Sequence, residues 1–327
     1  MDPPSEPSHT MSDTGAWASE YHAPVMAKEV VDVFRGCGVV LDGTLGGGGH
    51  ALALLESGVR VIGIDRDPDA VAAARERLAA YETAGRFRAI VANFAALDDV
   101  VDLNDTRFDG VLLDLGVSSH QLDDVARGFS FREGAALDMR MDGEGNAAGP
   151  SAAELLQEAD ERTLTQIFRE YGDEPRALKL AREIVRRRER RPLITSDDLV
   201  GAIRAVLGAP PRTGPAVFAR LFQAVRIAVN DELGALERAL PSLRDRLTPG
   251  GVIAVIAYHS GEDRIVKQTF RAWSTACTCP PRQPVCTCGG RALGTTLTRK
   301  AATASPAEVA VNSRARSAHL RAWRSAA

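Results

Sequence analysis

Four short apolar runs, most of them rich in β-branched residues, recur through the first third of the chain and predict strands at 39–42, 60–65, 87–94 and 108–115. Helical patterns lie between the first of these runs. The segment 68–85 has proline near its start and glycine at its end, which is typical of a helix. Strands that alternate with helices of this length predict βαβ units and a parallel sheet.

Beyond residue 120 the pattern becomes helical, with segments at 151–172, 174–191, 195–208 and 215–240. A strand signal returns at 250–260, a helix follows at 262–273, and the tail could add a final antiparallel pair. The sequence therefore predicts an α/β protein with a Rossmann-like, doubly wound sheet. We expect the sheet domain at 19–120 and 236–327 and an inserted, all-helical domain at 121–235.

The composition changes this picture little. With 45% hydrophobic and 25% charged residues, the chain is typical of a soluble globular protein. No apolar run approaches the roughly 20 residues that cross a bilayer. Residues 1–18 are rich in Pro, Ser and acidic side chains and predict a disordered tail, not a secretory signal. A cytoplasmic protein is expected.

The charge is unevenly distributed. The net charge is −3, yet residues 176–191 and residues 291–327 each carry a net +6. Two basic clusters on an acidic body indicate either a localised anionic partner or simply a solvated helix face and a basic tail.

The stretch "LDGTLGGGGHAL" (41–52) follows the first strand and fits G-x-G-x-x-A. Asp65 lies 19 residues after Gly46, at the end of the second strand, where an acid would bind ribose hydroxyls. Asp42 decides between cofactors, because a carboxylate beside the loop would repel a pyrophosphate. It suits a ligand with a cationic amino-acid end, and S-adenosylmethionine is such a ligand.

Two further side chains stand at predicted strand ends, where ligands of open α/β sheets bind. Phe94 could lie beside an adenine ring, and Asp114 ends the fourth strand. Core packing and helix capping are the alternatives for each residue alone. Their coincidence at successive strand ends favours a binding site.

The chain resembles the RsmH (MraW) family of bacterial methyltransferases, which act on N4 of a cytosine in small-subunit ribosomal RNA. The resemblance covers about residues 22 to 321. It rests on "HAPVM", "DGTLGGGGH", "GIDRDPDA", "FDGVLLDLGVSSHQLDD", "RGFSF…LDMRMD", "LFQAVRIAVNDEL", "YHSGEDRIVK", "CTCP…VCTC" and "NSRARSAHLR". The chain departs from the family pattern at Ser313 and Ala136, where the family usually has proline.

The resemblance implies a class I S-adenosylmethionine methyltransferase fold, with 16S rRNA or the small ribosomal subunit as partner. It further implies a target cytosine in the decoding (P-site) region, and the enzyme could act as a homodimer. The implied cofactor contacts are Gly48, Gly49, His50, Asp65, Phe94, Asp114 and Gln121. His50 could act through its side chain or only through its backbone.

Methylation of an exocyclic amine requires acceptors that hold the amine's N–H bonds, and Asp114 is placed for that role. Methylation at C5 would need a cysteine near the fourth or fifth strand end. Neither "DLGVSS" nor "AYHSGED" contains one, and Cys37 precedes the first strand. His259 and Ser260 could contact the base or accept a proton, or His259 could cap the following helix.

Arginines are the candidate phosphate contacts. Arg182, Arg186 and Arg190 recur every four residues and would share one helix face, with Arg187 beside them. The basic residues of 314–324 are a second candidate. Arg226 and Asn230, also four residues apart, could face the cleft or tie the insertion to the sheet domain.

Four cysteines form two C-x-C pairs, Cys277 with Cys279 and Cys286 with Cys288. Four thiolates could hold zinc, or they could be reduced surface thiols. Two other functions stay open. An NAD-dependent oxidoreductase is disfavoured by Asp42, and an RNA-binding assembly factor without activity is disfavoured by the intact glycine loop with Asp65 and Asp114.

Overall fold

A computed structural model describes residues 17, 24–142, 149–208, 214–277, 279, 283, 285, 287 and 290–327. The predicted N-terminal tail, residues 1–18, lies outside the described residues except for Trp17. Among the described residues, none of the helices combines the length and apolar character that crossing a bilayer requires.

The strands are β1 Val39–Asp42, β2 Arg60–Asp65, β3 Phe87–Val91, β4 Phe108–Asp114, β5 Leu247–Ala257, β6 Gly294–Thr296, β7 Ala302–Thr303 and β8 His319–Ser325. In the described chain they form an eight-stranded sheet of order β3-β2-β1-β4-β5-β8-β6, with β7 also paired to β8. Strands β1 to β5 are parallel, and β8 is antiparallel to β5, β6 and β7. This topology confirms the predicted Rossmann-like sheet and its antiparallel C-terminal strands.

The helices are α1 Ala27–Val33, α2 Gly49–Glu56, α3 Pro68–Arg77, α4 Ala79–Thr83, α5 Ser119–Asp123, α6 Ala152–Glu158, α7 Glu161–Gln166, α8 Ala177–Arg188, α9 Ser196–Leu207, α10 Pro215–Asn230, α11 Glu232–Asp245, α12 Ser260–Trp273 and α13 Pro306–Val311. Short 3₁₀ turns cover Phe94–Asp99, Val101–Leu103 and Ser313–Ser317, and a π turn covers Ile167–Tyr171.

Alternation along the strands builds the two faces of the sheet. On β4, Leu112 packs with Phe34 and α2, whereas Val111 and Leu113 pack with α11 and α12 on the other face. A separate apolar core joins α6 to α10 with the segment 129–141. The sheet is therefore covered on both sides, and the helices between β4 and α11 have a core of their own.

Several predicted elements are shorter or divided in the structure, and two of these differences affect the site. The strand predicted at 87–94 ends at Val91, because the Asn93 side chain accepts a hydrogen bond from Ala95 N and caps the turn that Phe94 begins. The helix predicted at 215–240 breaks at Asp231, which has left-handed backbone angles (φ 47°, ψ 41°). Helix α10 therefore packs in the helical core, whereas α11 packs on the sheet.

Candidate active site

A cleft opens at the carboxyl ends of β1, β2, β4 and β5, with α10 on one side and the segment 312–317 on another. This is the edge at which open α/β sheets bind ligands. Parallel strands bring residues distant in sequence together here, among them Asp65, Phe94 and Asp114, as predicted.

The glycine loop approaches this cleft at Gly43, Gly46 and Gly49. A Cβ at Gly43 would lie 2.6 Å from Leu113 Cδ2, and Gly46 has a positive φ of 50°. Gly48 also has a positive φ (73°), but it is not among the cleft-lining residues, and a Cβ there would meet Leu78. Backbone conformation and packing therefore account for Gly48, and Gly46 is the glycine of this loop with a positive φ that lines the cleft.

Asp42, at the end of β1, is 1% exposed. Its Oδ1 accepts a hydrogen bond from Thr44 N at 3.2 Å, while its buried Oδ2 has no hydrogen-bond partner among the described residues. Burial raises the pKa of Asp42 to about 7, although nearby His50 and the Thr44 N–H act in the opposite direction. Asp42 itself is not among the cleft-lining residues, but Gly43 and Thr44, which follow it, are, so its buried oxygen without a donor stands next to a site for a cationic ligand.

Asp65 ends β2 and anchors the loop. Its Oδ2 accepts from Gly46 N at 2.8 Å, and its Oδ1 accepts from Asp67 N at 3.0 Å. Burial raises its pKa to about 6 in spite of these bonds. A carboxylate has about four acceptor positions, so Asp65 retains capacity for hydroxyl groups. Phe94 also lines the cleft, and its contact with an adenine stays a prediction.

Asp114, at the end of β4, lies between the buried His50 and the partly buried Tyr258. Tyr258 donates its hydroxyl to Asp114 Oδ1 at 2.8 Å, and His50 Nδ1 is 3.6 Å from Asp114 Oδ2. His50 Nε2 is 2.8 Å from the Val25 carbonyl, which can only accept, so Nε2 carries a proton. Burial, followed by the charge of Asp114, raises the pKa of Tyr258 well above its usual value, and the phenol stays protonated.

Gln121 also lines the cleft, but its amide is engaged. Its Nε2 donates to Asp67 Oδ2 at 3.0 Å, and its Oε1 accepts from Ser118 N at 3.0 Å. Arg127 donates to the same Asp67 oxygen at 2.8 Å and to the Met141 carbonyl. This buried network joins the end of β2 to the loop that follows β4.

The prediction that His259 and Ser260 face the cleft requires a correction, because neither is among its lining residues. His259 Nδ1 accepts from the N–H groups of Gly261 and Glu262, so the ring caps α12, as the structural alternative predicted. The preceding residue, Tyr258, is the one that faces Asp114.

Arg226 and Asn230 on α10 both line the cleft, and both are tied to neighbours. Arg226 forms a two-bond pair with Glu232, at 2.7 and 2.9 Å. Burial alone would lower the pKa of Arg226, but the Glu232 carboxylate outweighs it and raises that pKa. Asn230 accepts from Met141 N at 2.9 Å and donates to Met139 O at 2.7 Å, which joins α10 to the segment 139–141.

The basic cluster on α8 is extensively paired with acids. Arg186 and Arg187 both bind Glu183 at 2.7 Å, and Arg182 binds Glu161 at 3.2 Å. The hydrogen bond from Arg186 is the main cause that lowers the pKa of Glu183 to about 2. Helix α8 ends at Arg188, so Arg190 lies in the following turn and not on the shared helix face that its spacing predicted.

The structure describes only two of the four cysteines that could hold zinc. Cys277 is exposed and Cys279 is partly exposed, whereas Cys286 and Cys288 lie outside the described residues. In the described part of the chain, Glu232, His259 and Glu262 have ligand atoms within 4.8 Å of one another. Because His259 Nδ1 accepts from backbone amides, its Nε2 carries a proton and faces Glu262 Oε1 at 3.2 Å, an arrangement that disfavours a metal.

Sequence reasoning missed the lining residues Thr44, Tyr258, Glu262, Asn312 and Ser317, and it marked Arg314 only as part of the basic segment 314–324. Thr44 accepts from Asp114 N at 2.6 Å and so fixes the end of β4 against the glycine loop. The last three belong to "NSRARS", a polar segment just before β8 that could have been recognised by its position beside a buried strand.

The chain is also similar to known proteins along most of its length. A family model described as the MraW methylase family matches residues 19–326. A protein of Gemmatimonas aurantiaca named ribosomal RNA small subunit methyltransferase H is 65% identical over 306 residues, which cover 94% of this chain and 96% of the relative. Proteins with the same name from Anaeromyxobacter sp. and Heliobacterium mobile are 51% and 47% identical, each over 92% of this chain and over 96% and 97% of the relative.

Proposed function

The chain belongs to the MraW methylase family, and from this premise we propose that it is an rRNA methyltransferase that uses S-adenosylmethionine. The proposed acceptor is the N4 amino group of one cytosine in the decoding (P-site) region of bacterial 16S rRNA. The observation that carries the proposal is the Asp114 carboxylate, which accepts a hydrogen bond from Tyr258 and lies beside His50 in the lining of the cleft. The relatives' names support small-subunit rRNA as the substrate class.

The residues present fit the proposed cofactor. Asp42 Oδ2, buried and without a donor among the described residues, would balance the ammonium group. Asp65 would accept the ribose hydroxyls, and Phe94 would pack on the adenine. Gly43, Gly46 and Gly49 contribute no side chain to the loop side of the cleft. The contacts of Gly48, His50 and Gln121 come from the family resemblance and stay predictions.

When bound, S-adenosylmethionine supplies a methyl group on a positively charged sulfur. The cytosine amine is a weak nucleophile, since its lone pair is delocalised into the ring. Asp114 would accept an N–H bond of that amine and turn its lone pair toward the methyl group. As the new N–C bond forms and the C–S bond breaks, the amine loses one proton, which Asp114 would take and pass to solvent.

Tyr258 would keep the Asp114 carboxylate in place during this step. Tyr258 occupies one position on Oδ1, and His50 Nδ1 lies beside Oδ2. The carboxylate keeps acceptor positions for the amine. The nearby Leu115–Ser118 backbone supplies carbonyl groups for the second N–H.

The cleft chemistry disfavours methylation at C5. No cysteine is among the described residues that line it. Cys37 Sγ is 3.5 Å from the Asp109 carbonyl, at the opposite edge of the sheet. An enzyme that attacks the ring carbon through a thiolate would need that sulfur at the carboxyl ends of the strands.

The remaining expectations complete the proposal. We assign RNA recognition to the helical segment 121–235. The arginines of α8 should contribute less to it, because they are paired with glutamates. A cytoplasmic location follows from the substrate, and a homodimer stays a prediction.

The test of this proposal is methyl transfer from labelled S-adenosylmethionine to small-subunit RNA. We expect Asp114→Ala to reduce the rate at least a hundredfold, because the acceptor for the amine and its proton is lost. Cofactor affinity and the melting temperature serve as controls for the fold. A variant that keeps the wild-type rate would contradict the role of Asp114.

A further inference from the structure

A second concave surface lies along the C-terminal half of α12, beside β6. We name it the α12 patch and define it by its four cations, Lys267, Arg271, Arg299 and Arg321. Its other lining residues are Phe270, Ser274, Thr275, Thr296 and Thr298, and among the residues that the structure describes no acidic side chain lines it. We propose that the α12 patch binds backbone phosphates of the substrate RNA next to the nucleotide in the cleft, an inference that rests on the proposed function.

The cations of the patch are unusually poor in acidic partners. Lys267, Arg271 and Arg299 make no ion pair with any described residue, although all three are exposed. Lys267 and Arg271 are four residues apart on α12, where like charges destabilise a helix. A chain that keeps such a pair without an acid has a surface ready for an anion.

The acidic group nearest to the patch is already occupied. Asp263 accepts two bonds from Arg321, at 2.7 and 3.0 Å. The Arg321 hydrogen bond is the main cause that lowers the pKa of Asp263, and Arg321, His319 and Lys267 add to it through their charges. This pair neutralises Arg321, and Lys267 acts on the same carboxylate only through its charge. Lys267, Arg271 and Arg299 form no ion pair within the described residues.

The contrast with α8 supports the choice of this surface. Both clusters are basic, but Arg182, Arg186 and Arg187 are each bound to a glutamate. A phosphate at α8 would have to displace those carboxylates, whereas a phosphate at the α12 patch would displace only water and counterions.

The floor of the patch is rigid. Phe270 and Trp273 pack against Trp323 with ring centroids 6.4 and 5.0 Å apart. Ser274 Oγ accepts from Trp323 Nε1 at 3.1 Å and donates to the Phe270 carbonyl at 2.8 Å. The hydroxyls therefore hold the floor together, and the cations are the groups left for a ligand.

The α12 patch is also placed for the same RNA strand. Helix α12 begins at Ser260, two residues after Tyr258, and Glu262 in its first turn lines the cleft. At 1.5 Å per residue, Lys267 and Arg271 follow Glu262 by about 8 and 14 Å along the helix. A strand whose cytosine enters the cleft would pass within reach of them.

The experiment compares wild-type protein with the triple variant Lys267→Ala/Arg271→Ala/Arg299→Ala. Binding of a fluorescent small-subunit RNA fragment is measured from 50 to 200 mM salt. Three lost phosphate contacts should reduce the salt slope by about 2, so wild-type protein loses roughly 20-fold more affinity over this range than the variant does. The variant's KM for RNA should rise, while its cofactor Kd stays at the wild-type value.

The matched control is Arg35→Ala/Arg60→Ala/Arg107→Ala, which removes the same charge at the amino ends of the strands, opposite the cleft. It should keep the wild-type salt slope. A triple variant of the α12 patch with wild-type RNA affinity and slope overturns the inference, even if methyl transfer proceeds. If it binds naked RNA normally but loses affinity for the assembled subunit, the partner of the patch is a ribosomal protein and the inference is also wrong.

Failure of the proposed function gives a different result. In that case wild-type protein would bind the RNA with the expected slope and transfer no methyl group to it, and the phosphate-binding role of the patch would stand.

Discussion

Asp42→Asn should gain stability relative to wild type as pH rises, and it should bind the cofactor more weakly. In the folded protein, burial raises the pKa of Asp42 from 3.8 to about 7. Because the folded-state pKa is above the unfolded one, the folded state binds more protons than the unfolded state between these values. The wild-type protein therefore loses stability as pH rises through this window.

The magnitude follows from the two pKa values. The shift corresponds to about 4 kcal/mol when it is fully expressed. Between pH 5 and pH 8 the proton is lost over a range equivalent to roughly 2 pH units of the full shift in pKa. The stability of Asp42→Asn relative to wild type should therefore rise by about 3 kcal/mol over this range. Any constant cost of the buried amide cancels in this comparison.

The assay is urea unfolding of both proteins without cofactor at pH 5 and pH 8. Asp109→Asn serves as the control. Burial alone would raise the pKa of Asp109, but bonds from Val39, Thr248 and Gly38 lower it below its usual value. Its stability difference from wild type should be flat over this pH range. A flat difference for Asp42→Asn as well would refute the reasoning.

Cofactor affinity should fall in Asp42→Asn. Loss of the charge opposite the ammonium group removes a charge-assisted hydrogen bond, and we expect S-adenosylmethionine to bind about 10- to 100-fold more weakly by calorimetry. An unchanged Kd would remove Asp42 from the proposed binding site.

Two further predictions concern the groups around Asp114 and α10. Tyr258→Phe removes the hydroxyl that fixes Asp114, so kcat should fall about tenfold or more while cofactor Kd stays within a factor of two; an unchanged kcat contradicts a positioning role. Asn230→Ala leaves Met141 N and Met139 O buried without their partner and should destabilise the protein by about 2–4 kcal/mol in urea unfolding. A loss below about 0.5 kcal/mol would show that water replaces the amide.

The sheet and the convergence of Asp65, Phe94 and Asp114 were predictable from the sequence, because apolar runs end at these residues and parallel strands end at one edge. Asp42 was predictable as the residue that disfavours a pyrophosphate. Its orphaned oxygen was not, since that depends on how the loop of Thr44 closes over it.

The sequence could not show which of the two side chains, Tyr258 or His259, faces Asp114. Both follow β5 directly, and only the start of α12 at Ser260 turns the histidine back onto its own helix. Likewise, the pairing of Arg186 with Glu183 was readable from their spacing of three residues, but Arg182 meets Glu161 only because α7 packs against α8. Contacts between distant segments depend on tertiary packing, which local patterns do not contain.

The central claim is most directly tested by mass mapping of 16S rRNA from cells with and without this protein. We expect one cytosine of the decoding region to lose a methyl group on N4 when the protein is absent, and to regain it with wild-type protein but not with Asp114→Ala. An unchanged methylation pattern, or the loss of a C5 methyl group in its place, would contradict the account.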